Sequence, residues 1–138
     1  MQNTFELNVP EIKVIKKPWG QEDILELNEH YCYKKITIME DQKTSLQYHE
    51  RKIETNHLIY GKVQLWLGSR GDYDDNTMHQ VLMLPGQHVT IPAGIVHRIV
   101  ALADSILLEV STPELDDVIR LEDDTNRPSG KIEEEHNA

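Results

Sequence analysis

Apolar residues recur along the chain in short runs, alternating with polar ones or briefly continuous, at 33–39, 57–60, 63–67, 81–84, 88–91, 95–101 and 106–110. Between them stand Gly61-Lys62, a polar stretch from Gly68 to Asn76, Pro85-Gly86, Pro92-Ala93-Gly94 and Ala103-Asp104-Ser105. Period two between turn signals, with no amphipathic stretch of helix length, predicts an all-β sandwich or barrel. The stretch 113–121 reads differently: Thr112 suits an N-cap, and Glu114, Asp116 and Asp117 suit a first helical turn, so a short C-terminal helical or loop segment is expected there. From 128 to 138 the chain is polar, with Glu133, Glu134 and Glu135 in a row, and is expected to be a loose, disordered acidic tail behind one domain spanning 1–127.

Composition narrows the partners. The 138 residues suit one domain. With 24 acidic against 14 basic residues, a formal charge of −10 and no block of Lys and Arg, neither nucleic acid nor an anionic membrane is an expected partner. Cys32 is the single cysteine, so no intramolecular disulfide forms. The first residues show no signal-peptide pattern and no apolar run reaches membrane-spanning length, so a soluble, cytoplasmic protein is expected. Edge strands of a small β-barrel commonly pair between copies, so a homodimer is expected.

Polar residues that interrupt the apolar faces carry the candidate chemistry. Gln47 and His49 stand two apart, so on one strand both face the same side, and Glu54 can approach them across a turn. His97 follows the Pro92-Ala93-Gly94 turn. Lys34 shares a strand face with Ile36 and Ile38, and Glu109 lies within 106–110, where an unpaired charge is costly unless it pairs or lines a pocket. Arg98, next to His97, faces the opposite wall by alternation. Exposure is expected for Arg51, Lys52, Arg120 and Arg127. His30, His57, His79, His88 and His136 read as structural, Leu65, Trp66 and Leu67 as barrel packing, and 72–75 as a solvated hairpin loop.

The spacing of these residues resembles the two motifs of the cupins. Gln47 and His49 are followed by Glu54 and, seven residues on, Gly61; Gly86, Pro92, Gly94 and His97 match the second motif. Ser45-Leu46-Gln47-Tyr48-His49 is similar to a segment of type II phosphomannose (mannose-6-phosphate) isomerases. That likeness extends to Lys17-Pro18-Trp19-Gly20, Lys34-Lys35-Ile36, Val96-His97-Arg98, Leu108-Glu109-Val110 and 120–124. Gln47 stands where most cupins have His, Ala101 where Asn is frequent, and Glu50, Arg51 and Lys52 follow His49 where those isomerases run several His.

The resemblance implies a double-stranded β-helix, the jelly-roll barrel of the cupins. It implies one divalent metal ion (Zn, Mn, Fe, Co or Ni) held by Gln47, His49, Glu54 and His97. It also implies metal-dependent aldose–ketose isomerisation of a sugar phosphate, mannose 6-phosphate and fructose 6-phosphate first, by proton transfer through an enediolate. Lys34 and Glu109 are the candidate catalytic residues, either of which could serve as the proton-transfer base, and Ser45, Arg51 and Arg98 the candidate substrate contacts. A metal-dependent dioxygenase or lyase, or a non-catalytic sugar-binding cupin, would use the same cage.

Overall fold

The computed structural model describes residues 9, 11–122 and 130–132. Twelve strands appear among them: β1 (Lys13–Lys17), β2 (Gly20–Leu27), β3 (Cys32–Ile38), β4 (Leu46–Tyr48), β5 (Glu54–Tyr60), β6 (Val63–Gly68), β7 (His79–Met83), β8 (His88–Ile91), β9 (Val96–Ala101), β10 (Ser105–Ser111), β11 (Val118–Glu122) and β12 (Gly130–Ile132). They form two sheets, β1-β2-β3-β10-β5-β8 and β12-β11-β4-β9-β6-β7. All pairings are antiparallel. From β3 onward the chain crosses repeatedly between sheets, so neighbours in sequence mostly face each other across the core. This is the expected jelly roll.

The inward stripes follow the period of two. In β3, Cys32, Lys34, Ile36 and Ile38 are buried while Tyr33, Lys35 and Thr37 are half-buried. The stripes of β3, β5, β6, β9 and β10, with the ends of β7 and β8, meet in a core of Ile36, Ile38, Leu58, Val63, Leu65, Met83, Ile91, Ile99, Ala101 and Leu107, with Trp19 packed among them. Gly61 closes the β5–β6 turn at φ +92°, and a Cβ there would lie 2.3 Å from the carbonyl oxygen of Asp104, so sterics and backbone both require glycine.

The sequence expectations and the structure differ at the two ends. β1 and β2 form a hairpin missed because KVIKK and GQEDILEL carry too much charge to show an apolar stripe. No helix occupies 113–121. That stretch is a turn leading into β11, whose Val118 and Arg120 face inward and which pairs with β4. A favourable capping pattern lost there to the ladder that β4 offers. Within the stretch expected to be a loose tail, Gly130–Ile132 pair with β11 as β12; the rest of it, with His136 and the acidic triplet, and Arg127 before it, lie outside the described residues. No helix among the described residues is long and apolar enough to cross a membrane.

Candidate metal centre

At one end of the barrel the inward stripes turn polar and enclose a cavity. Glu22, Lys34, Ser45, Gln47, His49, Lys52, Glu54, Asn56, His97 and Glu109 line it, with Trp19, Ile36, Ile99 and Val118 as its apolar wall. Its volume, about 50 Å³ for the centres of water-sized spheres, admits roughly three to five waters, or an ion with the reacting end of a small ligand.

Both sheets contribute. β4 carries Gln47 and ends just before His49, and β9 places His97 opposite Gln47. β5 opens with Glu54 from the facing sheet. The two sequence motifs are tied together at the turn before β9, where the Gly94 N–H, at φ +86°, donates to the His49 carbonyl at 2.7 Å.

His49, Glu54 and His97 converge. Nδ1 of His49 donates to the carbonyl of Asp117 at 2.6 Å, and Nδ1 of His97 to the carbonyl of Ile95 at 2.9 Å. A carbonyl only accepts, so each ring has committed a proton there and turns Nε2 toward Glu54 Oε1, at 3.1 and 2.9 Å. The ligand atoms of the three residues lie within 4.8 Å of one another, and all three residues are buried. Three electron-pair donors aimed at one point repel unless a cation or extra protons lie between them. Two imidazoles and a carboxylate are suited to a divalent ion. Gln47, which lines the same cavity, offers an amide oxygen that already accepts from Ser45 Oγ at 2.9 Å.

The charges around this group are paired in layers. Lys52 Nζ lies 3.3 Å from Glu109 Oε1, and Lys34 Nζ lies 3.5 Å from Glu22 Oε1, while Lys17 Nζ reaches Glu22 Oε2 at 3.9 Å. Burial opposes the charge of Lys52, but Glu109, Glu54 and Glu22 outweigh it and raise its pKa, so the ammonium stays charged. Burial would raise Glu54, yet Lys52, a hydrogen bond from Glu109, His97 and His49 hold its carboxyl well below the usual range. Burial and then the Glu54 charge push Glu109 up to about 7 against the pull of Lys52 and Lys34. A divalent cation on the neighbouring donors would draw it down again. Burial lowers His49, whereas on His97 burial is outweighed by Glu54 and the Ile95 carbonyl, which raise it.

The cavity gathers Lys34, Ser45, Gln47, His49, Glu54, His97 and Glu109 from the expected set. It does not gather Arg51, which is exposed over a separate groove with Glu50, Leu115 and Asp116. Arg98 also lies apart: it is buried on the other face of β9, with Nε donating to the Thr44 carbonyl at 3.1 Å. Lys52 and Arg120, expected to be exposed, are only 3% exposed each. Burial of Lys52 follows from its fixed loop. Its N–H and those of Glu50 and Arg51 all donate to the Asp117 carboxylate, at 2.9, 3.1 and 2.6 Å. Burial would raise the Asp117 carboxyl, but these three bonds together outweigh it and hold it below its ordinary value.

Asp117 therefore clamps the loop between His49 and Glu54, two candidate ligands, with its side chain and orients His49 with its carbonyl. Sequence reasoning assigned its charge to a helix dipole and missed it. Glu22 and Asn56 were also missed, although Asn56 stands two residues after Glu54 and period two alone places it on the same wall.

A two-sheet jelly roll with a His, Glu and His group between its sheets defines a cupin. The chain belongs to the Mannose-6-phosphate isomerase C-terminal family, whose profile matches residues 8–123. Xanthan biosynthesis protein XanB of Xanthomonas campestris pv. campestris (strain B100) is 27% identical over 118 residues, covering 82% of this chain and 23% of XanB. The chain thus spans under a quarter of that relative's length. Among solved structures, KdgF from Halomonas sp. superposes with a TM-score of 0.62 at 20% identity, covering 83% of this chain and 98% of KdgF. The capsular polysaccharide assembling protein CapF from Staphylococcus aureus superposes with a TM-score of 0.70 at 15% identity, covering 83% of this chain and 32% of CapF. At these identities the likeness is one of fold.

Proposed function

We propose that the protein is a metal-dependent aldose–ketose isomerase of a sugar phosphate, with mannose 6-phosphate and fructose 6-phosphate as the first pair to test. The observation that carries the reading is the cavity itself. It joins a divalent-ion donor group to a buried carboxylate, Glu109, and to two ammonium groups, within the fold of this family. His49, Glu54 and His97 would hold the ion, with Gln47 as a fourth ligand. A bound ion would supply positive charge that stabilises negative charge developing on the substrate.

Isomerisation of the aldose moves a proton from C2 to C1 and the hydroxyl proton from O2 to O1, with negative charge developing on the two oxygens between these steps. Glu109 is the proton carrier in this reading, because its carboxylate lines the cavity and is held by Lys52. Lys34, opposite Glu109 in the β3–β10 register and paired with Glu22, sets an ammonium group in the wall where that charge develops. A cavity of about 50 Å³ takes the C1–C2 end of the sugar and leaves the phosphate at its mouth.

The test strips the protein with a chelator, reloads it with Zn, Mn, Fe, Co or Ni in turn, and assays hexose phosphate interconversion. Glu109→Gln is expected to lower turnover by about two to four powers of ten with metal still bound. Failure of every loaded form to interconvert any hexose phosphate ends the reading, and sugar-phosphate binding without turnover would leave a binding protein.

A further inference from the structure

Asn56 is 1% exposed and lines the cavity from β5, opposite Glu109 in the β5–β10 register and Val89 in the β5–β8 register. Its Nδ2 faces Glu54 Oε2 at 3.5 Å, and because an ionised carboxylate only accepts, this long contact fixes which end of the amide is which. The other end, Oδ1, is buried without a donor among the described residues. The two ammonium groups of the cavity lie against carboxylates, Lys52 against Glu109 and Lys34 against Glu22. A buried carbonyl oxygen left unpaired costs free energy that a leucine of the same shape would not. Its retention beside a metal ligand has a physical rationale when the ligand brings the donor.

We infer that Asn56 Oδ1 reads a hydroxyl: the cavity takes a polyhydroxylated ligand whose O–H, next to the oxygens that meet the metal, donates to this atom. The inference deepens the sugar-phosphate reading and rests on it for the identity of the sugar, but not for the hydroxyl. Asn56 is then a specificity residue. It favours a hydroxyl over hydrogen or an ether at one position, while His49, Glu54 and His97 leave that position unread.

The experiment measures binding by titration calorimetry on zinc-loaded protein, with two probe series. The first is fructose 6-phosphate against its 1-deoxy, 3-deoxy and 4-deoxy analogues; the second is glycolate against acetate, which differ by a single hydroxyl and depend on no isomerase activity. The wild-type protein is expected to prefer the hydroxyl form in each series. Asn56→Leu is expected to shrink the preference by about 10- to 100-fold for glycolate and for one deoxy position of the sugar. Circular dichroism and zinc content establish that the variant is intact, and Asn56→Ala serves in its place if the leucine form does not fold. A shrunken glycolate preference with no binding of fructose 6-phosphate keeps the role of Asn56 and ends the sugar-phosphate reading. Unchanged preference for glycolate in the variant overturns the role of Asn56, whatever the sugar series shows.

Discussion

The same strands build two unlike regions. Following the inward stripe of β5, Glu54 and Asn56 give way to Leu58; in β10, Glu109 gives way to Leu107; in β3, Lys34 to Ile36 and Ile38; in β9, His97 to Ile99 and Ala101. The registers keep like with like, since Leu107 lies opposite Leu58 and Ile36, and Glu109 opposite Asn56 and Lys34. One end of the barrel is thus a dry core and the other a buried polar cage, separated by two residues along each strand. The core end needs no ligand to satisfy it. The cage end brings the lone pairs of His49, His97 and Glu54 together and leaves Asn56 Oδ1 without a donor among the described residues. Apolar burial is concentrated at one end and the candidate ligand site at the other, the pattern expected where function keeps groups that folding alone would not.

The sharpest test of this division pairs one substitution from each end. Leu58→Ala, at a fully buried position of the apolar cluster, is expected to cost about 2–5 kcal/mol in urea unfolding. Molecules that stay folded should bind zinc with unchanged affinity. His97→Ala should do the converse. Zinc affinity is expected to fall by more than the roughly 10- to 100-fold typical of losing an outer partner of a ligand, while unfolding of the metal-free protein changes by no more than about 1 kcal/mol. If His97→Ala unfolds the metal-free barrel, or Leu58→Ala abolishes zinc binding by folded molecules, the two ends are one cooperative unit and the division fails.

How far each region was legible in the sequence follows from the same contrast. The central strands of the core end were readable because alternation of Ile, Leu and Val with polar residues is a direct image of burial. The donors were readable because motif spacing survives in the linear chain: Gln47, His49 and Glu54 lie on adjacent elements, and His97 follows its own turn. The cage's supports were not readable, because they arrive from distant parts of the chain whose local pattern signals something else. Glu22 comes from a hairpin too charged to look like a strand. Lys52 looks like a surface lysine until the Asp117 carboxylate folds its loop inward. Asp117 is 65 residues from Lys52 in sequence, and no local rule connects the two.

A smaller effect is expected from Asp117→Asn, which tests whether the cage depends on its support. The carboxylate accepts three successive N–H groups, and an amide of the same shape retains one acceptor oxygen and turns a donor toward the remaining N–H groups. We expect a loss of about 1–3 kcal/mol in unfolding and a weakening of zinc binding by roughly 10- to 100-fold, since the loop joins two ligands. Hydrogen exchange at the amides of Glu50, Arg51 and Lys52 should quicken while that of the β5–β10 ladder stays slow. Unaltered exchange at those three amides would show that the clamp does not hold the loop.

The smallest effect is expected at Arg51, and it separates what a residue does with its backbone from what it does with its side chain. The N–H of Arg51 makes the shortest of the three bonds to Asp117, at 2.6 Å, so the main chain of this residue belongs to the cage. Its guanidinium does not line the cavity; the residue is exposed over the neighbouring groove, where Glu50, Glu114 and Asp116 supply opposite charge in a solvent-screened setting. Arg51→Ala keeps the N–H and removes only the side chain. Unfolding is therefore expected to change by no more than about 0.5 kcal/mol, the range of ordinary surface substitutions, with zinc affinity unchanged. Titration with fructose 6-phosphate and with unphosphorylated fructose makes the test specific. If Arg51 only frames the loop, the alanine variant loses equally little affinity for both sugars. A selective loss for the phosphorylated sugar would instead extend the functional site beyond the cavity mouth to this groove, with Arg51 as the phosphate contact that the sequence suggested.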